Sequence, residues 1–167
     1  MTADERGLVM ALATQGLPHE EFLGRFRSST DGRHLCSDLL TEALQFKAPD
    51  GVEYALMVGY TFGFTNENLE ALLGLVSEPW HFKHEDIVTA LGQIKTPKAV
   101  EALYAATQWI PDYLDFDESR ALAIKAIWAL GRIDGPEADA ALSKLTTDSD
   151  LILAEAATEQ LRRRRSG

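Results

Sequence analysis

Shifted by 39 residues, the chain falls on itself: "ALGQIKTPKAVEAL" (90–103) overlays "ALGRIDGPEADAAL" (129–142), with eight of fourteen positions identical. A repeat restricts the fold more than any other feature of this sequence, because a recurring unit must bury its apolar face against its neighbour. Each shared position has a mechanical reading. Ala-Leu-Gly closes a helix, with the glycine as C-terminal punctuation. The isoleucine plugs the turn that follows. Pro97 and Pro136 suit the first turn of a second helix, where a missing N–H leaves no bond unmade. The small alanines beyond them let helices approach closely. The unit is a helical hairpin.

A truncated third copy follows: "DSDLILAEAATEQL" (148–161) overlays "DESRALAIKAIWAL" (117–130) at a shift of 31, with Asp148, Leu153, Ala154, Ala157 and Leu161 recurring. Upstream, "YALMVGYTFGFTNENLEALLGLV" has helix-turn-helix character with a shorter turn, and its "EAL" at 70–72 matches the one at 101–103. The first third carries helical patterns over roughly 2–15, 18–27 and 31–47 without a repeat signature. Alternating apolar runs are absent and Ala and Leu outnumber β-branched residues, so no strand is expected.

The "ALGxIxxPxAxxAL" pattern resembles HEAT repeats, in particular the short HEAT-like repeats of bilin lyases. The resemblance implies an all-α, right-handed α-solenoid of four to five helical hairpins. The length of 167 residues fits one domain over 1–167, with divergent N-terminal helices at 1–49, recognisable repeats at 50–161 where the resemblance holds, and a basic tail at 162–167. The repeat motif is structural and carries no chemistry.

In a stacked array the turns inside hairpins lie along one edge and the connections between hairpins along the other. The inside turns "GQIKTP" and "GRIDGP" are plain. The connections "EPWHFKHED" (78–86) and "WIPDYLDFDE" (109–118) are not. Occupying equivalent positions, they should be neighbours about one helix-packing distance apart, roughly 8–10 Å. Together they bring Trp80, His81, Phe82, His84, Trp109, Tyr113 and Phe116 beside Glu78, Glu85, Asp112, Asp115, Asp117 and Glu118. Aromatics in such a position are candidate anchors for a protein contact, and acids around them select a basic partner. The same aromatics also suit plugging between repeats, and Asp117 and Glu118 suit the start of the next helix. Both roles are compatible.

Charge narrows the partner. The net charge is −10, but four of the sixteen basic residues form the run Arg162–Arg165, leaving 26 acids against 12 bases, or −14, over 1–161. Such a body repels phosphate backbones. HEAT-like DNA glycosylases need a basic groove, and this body has the opposite sign; no nucleic-acid partner is expected. The Arg run suits the C-terminal end of the last helix. No apolar run is long enough to span a bilayer, and the acidic start "MTADERGLVM" lacks the basic region of a signal peptide. A lone Cys36 fits a reducing cytoplasm.

The catalytic candidates are few. His84-Glu85 and His19-Glu20 are the two His-Glu pairs. Deoxyhypusine hydroxylase, a HEAT-like enzyme, binds two irons through several such pairs, and two pairs are too few for that ligand set. In the next copy His84 and Glu85 fall on Ala123 and Ile124, so the pair lies outside the repeat. His34 and Asp38 share a helix face without an evident third ligand. No nucleophile elbow or phosphate-binding glycine loop is present, and no metal, cofactor or catalytic residue is expected. Lys125, three residues before Trp128, is placed to stack or pair on its helix.

The segments "WHFKHEDIV" and "YLDFDESRALAIKAIWALG" are also similar to small HEAT-repeat immunity proteins encoded beside bacterial polymorphic toxins. That resemblance implies a cytoplasmic inhibitor that occupies a cognate toxin domain without turnover. The edge of the two connections supplies the expected contact residues, Glu78, Trp80, His81, His84, Glu85, Trp109, Asp112, Tyr113, Asp115, Phe116, Asp117 and Glu118, on a chain expected to be monomeric when free. Two alternatives remain: a lyase or chaperone handling a bilin or similar prosthetic group, and a metal-dependent enzyme using His84 and Glu85.

Overall fold

The computed structural model describes residues 1–166. Among them there are ten α-helices and no strand, as the repeat pattern requires. These are α1 Ala3–Gln15, α2 His19–Arg25, α3 Gly32–Phe46, α4 Pro49–Phe62, α5 Leu69–Leu75, α6 His84–Ile94, α7 Val100–Gln108, α8 Ala121–Gly131, α9 Pro136–Leu145 and α10 Leu151–Ser166. No helix among the described residues is long and apolar enough to cross a membrane. The chain forms two compact units, Met1–Gly74 and Leu75–Gly167, so the division falls inside α5.

In the first unit, α1 opens with a capping box: the Thr2 hydroxyl accepts from the Glu5 N–H while the Glu5 carboxylate accepts from the Thr2 N–H. Arg27, in the left-handed region at φ +51°, bonds both Glu5 and Glu42 and so ties α1 to α3. Those bonds hold the Glu5 carboxyl down at about 2. α4 packs against α3 and α1 over Leu39, Leu40, Val52, Ala55 and Leu56. A Cβ at Gly59 would lie 2.2 Å from the Phe64 ring and 2.8 Å from the Cys36 sulfur, so only glycine lets the next turn fold back onto α4. Cys36 is a buried hydrophobe whose thiol is pushed up to about 12 by burial.

The second unit has the stacked hairpins of an α-solenoid. α6, α8 and α10 lie side by side, with α7 seated on α8 and α9 on α10. Pro136 opens α9 as the repeat implies, and Pro97 opens the 3-10 turn Pro97–Ala99 that leads into α7. The repeat glycines, expected to punctuate helix ends, do something else. α6 closes on Lys95 at φ +57°, and α8 is followed by Arg132 at φ −90°, so neither helix uses a left-handed glycine. A Cβ on Gly92 would stand 2.8 Å from the Ala129 Cβ and 2.9 Å from its Cα. One on Gly131 would stand 2.3 Å from the Gln160 side chain. Ala129 and Gln160 are equivalent under the 31-residue shift. Each glycine is therefore the socket into which the next repeat's first helix fits, and close packing between repeats is what the position demands.

The C-terminal arginines are also more than a tail. α10 continues through them to Ser166. Arg162 and Arg163 reach back to Glu159, whereas Arg164 bonds Asp139 and donates to the carbonyls of Gly131 and Ile133 at the end of α8. Arg164 thus satisfies carbonyls that the α8 ladder leaves open.

Candidate functional site

α6 and α8 each begin beside one of the two aromatic connections, and their packing brings the connections together, as expected. The contact is mediated by rings. His81 and His84 stack with centroids 4.2 Å apart, and Tyr113 stacks on His84 at 5.6 Å. The Trp109 ring meets His84 at 84°, and Trp80 meets His81 at 82°. Phe82 stands across the Tyr113 ring at 88°, with centroids 5.3 Å apart.

Hydrogen bonds fix the state of both histidines. The Lys83 N–H donates to His81 Nδ1, so Nε2 carries the proton and donates to the Leu75 carbonyl at 2.8 Å. His84 Nε2 faces the Glu78 carbonyl at 2.9 Å and must donate to it, leaving Nδ1 to accept from the Tyr113 hydroxyl at 3.0 Å. Both imidazoles are neutral and all four ring nitrogens are committed. Burial, with the neighbouring His81 as a smaller cause, pushes His84 down to about 4; burial lowers His81 as well. Burial raises the Tyr113 hydroxyl.

His81 and His84, expected among the contact residues, are fully buried and present nothing to a partner. They are the floor that holds the two connections at a fixed spacing. Glu78 is half-buried and accepts the Trp80 indole N–H. Glu85 is bound to Lys125 at 2.7 Å, so Lys125 pairs across to α6 rather than stacking on Trp128. Asp117 accepts from the Ser119 and Ala121 N–H groups at the start of α8, the helix-start role its position implied. Trp109 and Tyr113 are half-buried in the ring stack.

The remaining residues are exposed. Phe116 is 77% exposed and Phe82 63%. Asp112, Asp115 and Glu118 are exposed, and among the described residues no side chain pairs with them. Asp112–Leu114 is a single 3-10 turn opened by Pro111, which presents Asp112 and Asp115 at its two ends. One support escapes sequence reasoning. Arg120, left-handed at φ +54°, bonds Asp150 and the Thr107 carbonyl and so pins this connection to the end of α7 and the start of α10. Nothing in the sequence around Arg120 distinguishes it from a solvated arginine.

Among the described residues no three His, Cys, Asp or Glu side chains are grouped to hold a metal ion. The His84-Glu85 pair is split, with the imidazole turned inward and the carboxylate turned to Lys125. In the first unit, His34 lies 3.8 Å from both Asp38 and Glu67 on an exposed face.

The family model for HEAT repeats matches residues 84–162, from the start of α6 into α10 and including the connection 109–118. The searches of curated proteins and of solved structures return no significant match. This part of the chain is thus HEAT-like, and repeats of that kind point to a protein-interaction or scaffold role.

Proposed function

We propose that this protein is a non-catalytic binding module whose inter-repeat rim, Phe82 with residues 112–118, grips a protein partner of basic surface. As a finer reading, it is an immunity protein that occupies a cognate toxin domain without turnover. One observation carries the proposal: Phe82 stands exposed on a Tyr113–His84–His81 ring stack whose imidazole nitrogens are all bonded internally, and the connection that supplies Tyr113 also carries the exposed Phe116 and three unpaired carboxylates. Exposed phenylalanine is unfavourable in water and needs a rigid support to act as an anchor, and the neutral histidine stack supplies one. The chain's net charge of −10 favours encounter with cationic proteins. An inhibitor that works by occupation needs no more than this surface and slow dissociation.

The test is a pull-down from the cells that encode the chain, followed by calorimetric titration with the purified partner. The proposal expects a basic protein bound one to one. Joint replacement of Phe82, Asp115 and Phe116 by alanine should weaken it at least a hundredfold, the scale of two or more truncated anchors. Undiminished affinity in that variant, with helicity intact by circular dichroism, would reject the rim.

A further inference from the structure

We infer that the rim is selective for arginine over lysine: Phe82 and Phe116 are platforms for guanidinium groups of the partner, with Asp115 the carboxylate that meets the cation stacked on Phe116. This rests on the rim reading above and specifies the chemistry of the partner's contacting side chains. Tyr113 is stacked on His84, and Phe82 stands perpendicular to it with most of its ring in solvent. The ring is therefore held upright by its neighbour while its surface remains open. Phe116 sits between Asp115 and Asp117 in the chain, is more exposed still, and follows the 3-10 turn that carries Asp112. Asp117 is occupied by the start of α8, so Asp115 is the carboxylate left to meet a cation at this ring.

An exposed phenyl beside an unpaired carboxylate distinguishes the two basic side chains. A guanidinium is planar and weakly hydrated; it stacks on the ring while its N–H fork engages a carboxylate bidentately. An ammonium is strongly hydrated and gains from the carboxylate alone. Stacking on exposed aromatics is worth a few-fold to about tenfold in affinity. A surface acting by charge alone would not separate the two.

The experiment uses the whole chain and two probes of equal charge, hexa-arginine and hexa-lysine peptides, titrated by calorimetry at low and moderate salt. The expected result is salt-sensitive binding of both, with hexa-arginine about tenfold tighter. The variant Phe82→Leu/Phe116→Leu, which keeps apolar area but removes both ring faces, should reduce that preference to near unity while hexa-lysine affinity holds. Equal affinity for the two peptides, or a preference that persists in the double variant, overturns the arginine platforms while leaving a basic-partner rim standing. Loss of neither peptide on the triple change Asp112→Asn/Asp115→Asn/Glu118→Gln overturns the rim itself along with the platforms.

Discussion

Acidification should loosen the second unit well before its carboxylates titrate, and His84 sets the amount. The unfolded chain takes up a proton on this histidine near 6.5, whereas the folded chain resists until about 4. Between those values the unfolded state binds more protons, so stability falls as pH falls. A folded value of about 4 against 6.5 gives a loss of about 2 kcal/mol on going from a pH of about 7 to about 5, with the full loss reached only below the folded value. His81, lowered in the same direction, adds to it. All three tryptophans, Trp80, Trp109 and Trp128, lie in the second unit, so urea titrations followed by their emission read that unit alone. The control is His84→Phe, which keeps a ring in the stack but cannot titrate. It should be less stable at neutral pH, having lost the bonds to Glu78 and Tyr113, yet should lose about 2 kcal/mol less on acidification. A wild-type chain whose stability is flat over that interval, or a phenylalanine variant with an unchanged pH slope, would refute the neutral buried stack.

Other outcomes follow from the same geometry. Gly92→Ala should destabilise by about 1–2 kcal/mol in urea, because overpacking against Ala129 outweighs the helix-propensity gain, whereas Gly7→Ala, with open space around it in α1, should stabilise by up to about 1 kcal/mol. Arg164→Ala should cost about 1–2 kcal/mol through the uncapped carbonyls of Gly131 and Ile133, and Arg163→Ala close to nothing, by the same assay. Cys36, buried with its thiol pushed up to about 12, should react with a thiol reagent at neutral pH only as fast as the first unit opens; immediate labelling of the native chain would contradict that burial.

The hairpins were legible because a repeat exposes its own constraints: the prolines, the alanines and the apolar faces recur in register, and the structure places helices where those patterns lie. The role of the repeat glycine was misread because a sequence shows a residue's backbone freedom but not the neighbour that presses on it; Ala129 and Gln160 come from the following copy. The meeting of the two aromatic connections was legible from register alone. Which members of that cluster face outward was not. A histidine in a loop between helices looks like a surface residue, and only the carbonyls of Leu75 and Glu78 and the hydroxyl of Tyr113, arriving from either side, turn the pair into an interior floor. Likewise an arginine run looks like a solvated tail until α8 ends against one of its members.

The proposed rim is tested most directly by calorimetric titration of the purified chain with the proposed basic partner at low and raised salt, in the wild type and in the Phe82, Asp115 and Phe116 alanine variant. It predicts one-to-one saturation, affinity that falls as salt rises, and a loss of at least a hundredfold in the variant. Affinity indifferent to both salt and variant would place the contact elsewhere on the molecule and contradict the rim.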